Sequence, residues 1–518
     1  MKKQILAAVL VIGCAAFPSA EAANPYVSGT ATKQNRIDEL VFARQDQLNI
    51  ARADLCSDAV FVRRAFLDII GTLPSGFEAR DFILDAKPGK RAALIKHLLA
   101  RDEFAEYWGM KWCDLLRVKA EFPINLWPNA VQSYHRWIRD SIRDNKPYDQ
   151  FARELLTSSG SNFRVPPVNF YRAMQNHEPA GIAQTVALTL MGERTDKWSE
   201  ARLSGMAAFF DWVGYKSTLE WKEEIIFFDS AAATNAPLTA TFPDGTTVSL
   251  KGDRDPREIF SDWLVSPENR WFTRNIANRV WSWLMGRGII HEPDDLRPDN
   301  KPSNPALLSH LEQELIGSKY DLRHLYSIIL NSATYQLSAM PKDRTPEAEA
   351  NFACYPLRRL EAEVLVDALN QITGGIEKYS SAIPEPFTFI PEDQRSIALS
   401  DGSISSPFLE MFGRPARDSG LESERNNRPT PAQRLHFLNS TQVQRKIEQS
   451  RMIQFQTQGG KTRQQAASGI YLGILSRFPT EQELKTIEAF AAGKMLKREE
   501  AVDLAWALLN SAEFLYRH

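Results

Sequence analysis

Apolar residues return every three to four positions through most of this chain, the period of helices with one buried face. Ser57-Asp58 precedes a run in which Val60, Phe61, Phe66, Leu67 and Ile70 recur at helical spacing, and Gly71 stands where it would stop. Ser75-Gly76-Phe77-Glu78 reads as a capping box. The pattern predicts further helices near 91–101, 104–118, 130–144 and 147–158, with Pro147 in a first-turn position, and near 180–191 and 200–212. Later it predicts one opened by Pro267, reaching Leu284 and ended by Gly286. Others follow near 304–316, 321–332, 357–373, 430–448, 463–477 and 481–491. The period changes once. Leu238 to Phe242 and Thr246 to Leu250 flank Pro243-Asp244-Gly245, a hairpin turn, and Trp221 to Phe228 offers a further strand. Residues 374–428 are rich in Pro, Ser, Gly and charge, which predicts a long irregular segment.

The expected fold is therefore mainly α, with a small β-hairpin insertion and a long irregular stretch. The expected division is an export signal at 1–22, a helical region at 23–235, the hairpin insertion at 236–252, and a second helical region at 253–518 that holds the irregular 374–428. An internal echo runs through both regions. Residues 69–83 resemble 474–488, with Pro74 against Pro479 and Glu78 against Glu483. Leu98 to Phe104 likewise matches Leu508 to Phe514, and Ile329 to Tyr335 is a partial third copy. The paired match favours duplication over chance recurrence of helix-turn-helix grammar.

The first 22 residues read as an export signal: Lys2 and Lys3, an apolar run from Ile5 to Phe17, then Ala20-Glu21-Ala22 as a cleavage site. This implies a periplasmic or cell-surface protein. Val11-Ile12-Gly13-Cys14 offers an alternative, a lipoprotein anchored through Cys14. No later stretch is long and apolar enough to cross a bilayer. Beyond Cys14 the cysteines are Cys56, Cys113 and Cys354, in no haem or zinc spacing, and the plain reading of each is a buried small hydrophobe.

With 518 residues and 43% hydrophobic content the chain can build a large core. A net charge of −2 disfavours a nucleic-acid partner. Candidate chemistry concentrates in Arg414, Arg417, Asp418, Glu422, Glu424 and Arg425. Arginine forks grip carboxylate, sulfate or phosphate at two points, and Glu424 could orient such a group or move a proton. The plainer reading of the same charges is an ion-pair network tying a long loop to the helical body. Asn278 and Arg279 share a helix with Trp271, Trp281 and Trp283, where packing is the plain reading and an aromatic face toward a groove the sharper one. The eight histidines show no metal-ligand spacing. Asp294, Asp295 and Asp299 read as a solvated turn rather than a calcium loop. Ser403, Ser405 and Ser406 lack a nucleophile elbow, and no P-loop or dinucleotide fingerprint is present. No metal or cofactor is expected.

Several stretches together resemble large exported bacterial proteins that carry two paired domains of unknown function, often labelled planctomycete cytochrome-type. These are Phe61 to Asp68 with Gly71 and Pro74, Trp108 to Arg117, Lys146 to Phe151, Asn169 to Arg172, Asn278 to Trp281 with Gly286-Arg287-Gly288, Thr334-Tyr335-Gln336 and Phe412-Gly413-Arg414-Pro415. The resemblance implies export and a helical build, and no known reaction. It also implies two cysteine motifs that are missing here. In place of a C-x-x-C-H stretch before Asp-x-Trp the chain reads Leu190-Met191-Gly192-Glu193-Arg194-Thr195 before Asp196-Lys197-Trp198, with the cysteines and histidine absent. A C-x-C-E-R stretch is replaced by Leu421-Glu422-Ser423-Glu424-Arg425. Neither Leu nor Ser substitutes for a thiolate ligand, so the joint metal, haem or disulfide site implied for such relatives is expected to be lost. The leading expectation is an exported helical binding or scaffold protein for an anionic ligand, a glycan or a cell-surface protein. The alternative is a carboxylate-dependent hydrolase or glycan-active enzyme of the cell envelope.

Overall fold

Helix boundaries in the computed structural model, which describes residues 24–234, 238–491 and 493–518, follow local capping chemistry. Residues 1–22, with the sequence pattern of an export signal, and Cys14 among them lie outside the described residues. Ser57 caps Asp58–Ile70 by accepting from the Val60 N–H. Gly71 ends that helix in the left-handed region, at φ 62°, and a Cβ there would stand 2.4 Å from the Tyr107 ring, so only glycine fits. Ser75 and Glu78 form the expected reciprocal box on Gly76–Leu84.

Where boundaries differ from expectation, a polar side chain decides. The helix expected from Pro267 begins at Arg270, because Asn269 accepts from the Trp271 and Phe272 N–H groups. The single helix expected over 430–448 is two, Pro431–Asn439 and Thr441–Glu448, because the Ser440 hydroxyl caps the second. The helix expected from 357 begins at Ala362, and Arg358–Arg359 pairs instead with Tyr516–Arg517. Arg36–Gln47, Pro256–Leu264, Arg451–Thr457 and Arg498–Leu509 are helices that the pattern did not single out.

Sheets are small. Glu224–Phe228, with the Ile-Ile-Phe-Phe run, is the centre of an antiparallel three-stranded sheet between Gly160–Ser161 and Val213–Ser217, in register Tyr215 to Ile226. Leu238–Thr241 and Thr247–Leu250 form the hairpin, closed by the Phe242 N–H on the Thr246 carbonyl at 2.8 Å. The long segment 374–428 holds only Ser396–Ala398, Pro407–Met411 and Glu422–Glu424 as short helical turns.

One hydrophobic cluster runs from Ala31 to Phe514 and takes side chains from nearly every helix. Trp108, Trp112, Trp281 and Trp283 are inside it. The internal echo has a structural counterpart. Asp58–Ile70 and Arg463–Leu475 both end in a left-handed residue, Gly71 and Ser476, and both are followed by a boxed helix, on Ser75–Glu78 and on Thr480–Glu483. Each copy also clamps an arginine between two matching glutamates, from a different position. Arg101 bridges Glu78 and Glu103, and Arg477 bridges Glu483 and Glu513.

Candidate functional site

Two helices supply the acids that organise the irregular segment. Asp114 ends the apolar face of Asp102–Leu115, and Glu363 opens Ala362–Thr373. The Arg417 Nε donates to Asp114 at 2.9 Å, and the Arg425 Nη2 donates to its other oxygen at 2.7 Å. Arg425 also grips Glu363 through two bonds, 2.7 and 3.0 Å. Arg414 lies 3.5 Å from Glu363, and its fork donates to the carbonyls of Ile404 and Asp401. All three guanidinium groups are buried. Arg417 holds a left-handed backbone, φ 61°, a strain sustained by its Nε on Asp114 and its Nη1 on the Ser400 carbonyl.

Burial alone would raise the Asp114 and Glu363 carboxyls. The facing arginines, Arg425 first, outweigh it and hold both below the ordinary carboxylate range. Burial, helped by Arg417, lowers Arg414 to about 10.

The other expected residues fall into two further groups. Arg279 is buried and donates to Asp294 at 2.9 Å, and lies 3.4 Å from Glu422. Glu422 accepts from the Trp283 indole at 3.0 Å, and its own N–H donates to Asp294 at 2.7 Å. Asn278 is a staple, bonded through both amide atoms to the Ile290 backbone. Asp418 pairs with Lys119 at 2.6 Å, and Glu424 accepts from the N–H groups of Asp418 and Ser419. The 418 and 424 carboxylates therefore brace the chain rather than face each other across a cleft.

The two segments that stand where the resemblance implies cysteines are wired together. Residues 294–296 join them: the Leu296 N–H donates to the Gly192 carbonyl at 2.9 Å, and Asp294 accepts from Arg279 at 2.9 Å and from the Glu422 N–H at 2.7 Å. Glu193 is buried in the first segment, and its carboxyl is raised by burial against the opposing pull of Arg202, 2.9 Å away. Among the described residues no three His, Cys, Asp or Glu side chains gather as a metal site, and Cys56, Cys113 and Cys354 are free thiols. Burial pushes the Cys113 thiol up to about 12. Asp294 is taken by Arg279, and Asp295 and Asp299 by Arg297. Ser403 accepts from the Glu121 N–H and Ser406 caps a helix, so neither is poised as a nucleophile.

A cleft of about 740 Å³ opens beside this network. Lys111, Trp283, Arg358, Glu422, Arg425 and Arg428 are among its walls. Most of these charges already have partners: Lys111 pairs with Glu361 at 2.8 Å, and Arg358 caps the carbonyls of Trp283 and Leu284. Arg428 is exposed and makes no side-chain ion pair among the described residues. The buried Asn427 Oδ1 accepts no hydrogen bond. Asp114, Glu361, Glu363 and Arg517, whose buried guanidinium pairs with Glu361 and with Asp68, are central to this architecture and were missed from sequence. Their signal was a lone charge inside an apolar run, as in Ala362-Glu363-Val364-Leu365.

Two family models match the chain, both described as protein of unknown function: PSCyt2 (DUF1549) over residues 36–207 and PSD1 (DUF1553) over residues 256–491. No curated protein and no solved structure matches it. No helix among the described residues is long and apolar enough to cross a membrane.

Proposed function

Since the chain belongs to this paired family of proteins of unknown function, DUF1549 followed by DUF1553, we propose that it is an exported helical binding or scaffold protein that takes an anionic ligand in the 740 Å³ cleft. Arg414, Arg417, Asp418, Glu424, Arg425, Asn278 and Arg279 are the frame of that site. The ligand meets its rim, Arg428 and the 423–427 backbone. The observation that carries the reading is the contrast between buried arginines already paired with acids and an unpaired, exposed arginine on the same wall. A frame already locked by its own ion pairs loses little freedom on binding, so a rim cation can act at full effect. The reading includes loss of the soft-ligand site that the cysteine motifs would form, with hydrogen bonds through residues 294–296 joining the same two segments. An envelope hydrolase draws no support from Asp418 and Glu424, which are committed to Lys119 and to backbone N–H groups.

The test is an array of carboxylated and sulfated glycans probed with the wild-type protein and with Arg428→Ala. The expected result is capture of an anionic glycan, weakened about tenfold by the substitution, or about 1.4 kcal/mol, with unchanged thermal unfolding. Capture of none, or equal capture by Arg428→Ala, sinks the proposal.

A further inference from the structure

The segment that gives His291, Glu292 and Pro293 to the first cleft gives Ile290, Leu296 to Pro298 and Asn300 to Pro302 to a second, of about 510 Å³. Its other wall carries Trp263 and Trp271. Both indoles are partly exposed, whereas Trp108, Trp112, Trp281 and Trp283 are buried. Both pack against the hydrophobic core and still line the cleft.

Both rings are fixed. The Trp263 indole N–H donates to Asp244, in the hairpin turn, at 2.9 Å, and the ring stacks on Phe242 at 5.1 Å. Trp271 lies 5.8 Å from Trp263 at an angle of 39°. Asn269 locks the turn between them, capping the Trp271 helix and donating to the Trp263 carbonyl at 3.1 Å.

The charges around the rings are not balanced. Asp244 is turned to Trp263, and Glu268 accepts from Ser266. Arg297 is paired with Asp295 and Asp299, and Arg274 with Glu312. Arg270 and Lys301 line the cleft, are exposed, and make no ion pair among the described residues. The cleft thus joins rigid aromatic faces to cations without partners. An inorganic anion would leave the indoles idle, and an apolar chain would leave the cations idle. A ring with an apolar C–H face and a carboxylate on its edge uses both.

We propose that this cleft binds a hexuronate unit of an acidic polysaccharide, with the sugar ring on the Trp263–Trp271 pair and its carboxylate at Arg270 and Lys301. The site shares no cation with the Arg428 cleft, so each proposal stands or falls alone.

The full chain would be titrated with tetragalacturonate and with tetramannuronate, following tryptophan fluorescence and heat, and with the methyl ester of whichever binds. Binding of at least one tetramer is expected, weakened tenfold or more by Trp271→Ala and by Arg270→Ala/Lys301→Ala together, weak for the ester, and unchanged in Arg428→Ala. The double substitution lies on the surface and decides the matter even where Trp271→Ala unfolds the protein. Binding of neither tetramer overturns the proposal. So does binding that survives the double substitution, or an ester that binds as well as the acid.

Discussion

His135 sits inside Pro128–Arg143, nearly enclosed, with Nε2 unbonded. Burial first, then Arg417 and Arg139, lowers it from 6.5 to about 3. A histidine depressed in the fold takes up its proton more readily when unfolded, so its contribution is whole above pH 6.5 and is lost as pH falls toward 3. Urea midpoints taken across that window should fall for the wild type and fall less for His135→Leu; parallel curves would refute the assignment. Below about pH 4 the loss should steepen, because Asp114 and Glu363 are held under their unfolded values and their ion pairs fail as they protonate. At this scale the sequence exposed one side of each pair. Arg414, Arg417 and Arg425 stand out as a cluster, but Asp114 lies about 300 positions from Arg417 and Arg425, and no local pattern links residues so distant.

Elements were more legible, because caps are local. The Ser57, Ser75 and Gly71 signals each appear where periodicity and capping chemistry coincide. The Ser440 break within 430–448 was hidden because apolar spacing continues across it while a hydroxyl redirects the backbone. The repeated unit makes a sharper point. Gly71 and Ser476 occupy equivalent left-handed turns, at φ 62° and 60°. Serine carries a backbone strain there that glycine does not, and the Ser476 hydroxyl is buried without a partner. Ser476→Gly should therefore stabilise the protein by roughly 1 kcal/mol. Gly71→Ser should destabilise it by more, because its Cβ meets Tyr107. Thermal unfolding of the two variants checks both signs. The arginine clamp tells the same story: Arg101 and Arg477 reach matching glutamate pairs from different positions, so what the two copies share is the pair of acids and the demand for a cation between them.

At the scale of the molecule, helical class and family were readable because they rest on periodicity and motif, while the way the irregular segment is seated was not. That segment hangs on long-range bonds. The Ser396 and Ile397 N–H groups donate to Asp367, the Gly402 N–H donates to the Val118 carbonyl, and Asp401 accepts from the Ala120 N–H. Its arginines are sunk onto acids of two core helices. Stretches with so little regular structure ordinarily trade their amide hydrogens for deuterium within moments. These amides can reach heavy water only when the helices bearing Asp114 and Glu363 part, so their uptake should keep pace with the slowest-exchanging helices. Rapid labelling of 396–418 by mass spectrometry would contradict this. An apparently loose strand would then be the last part of the protein to open.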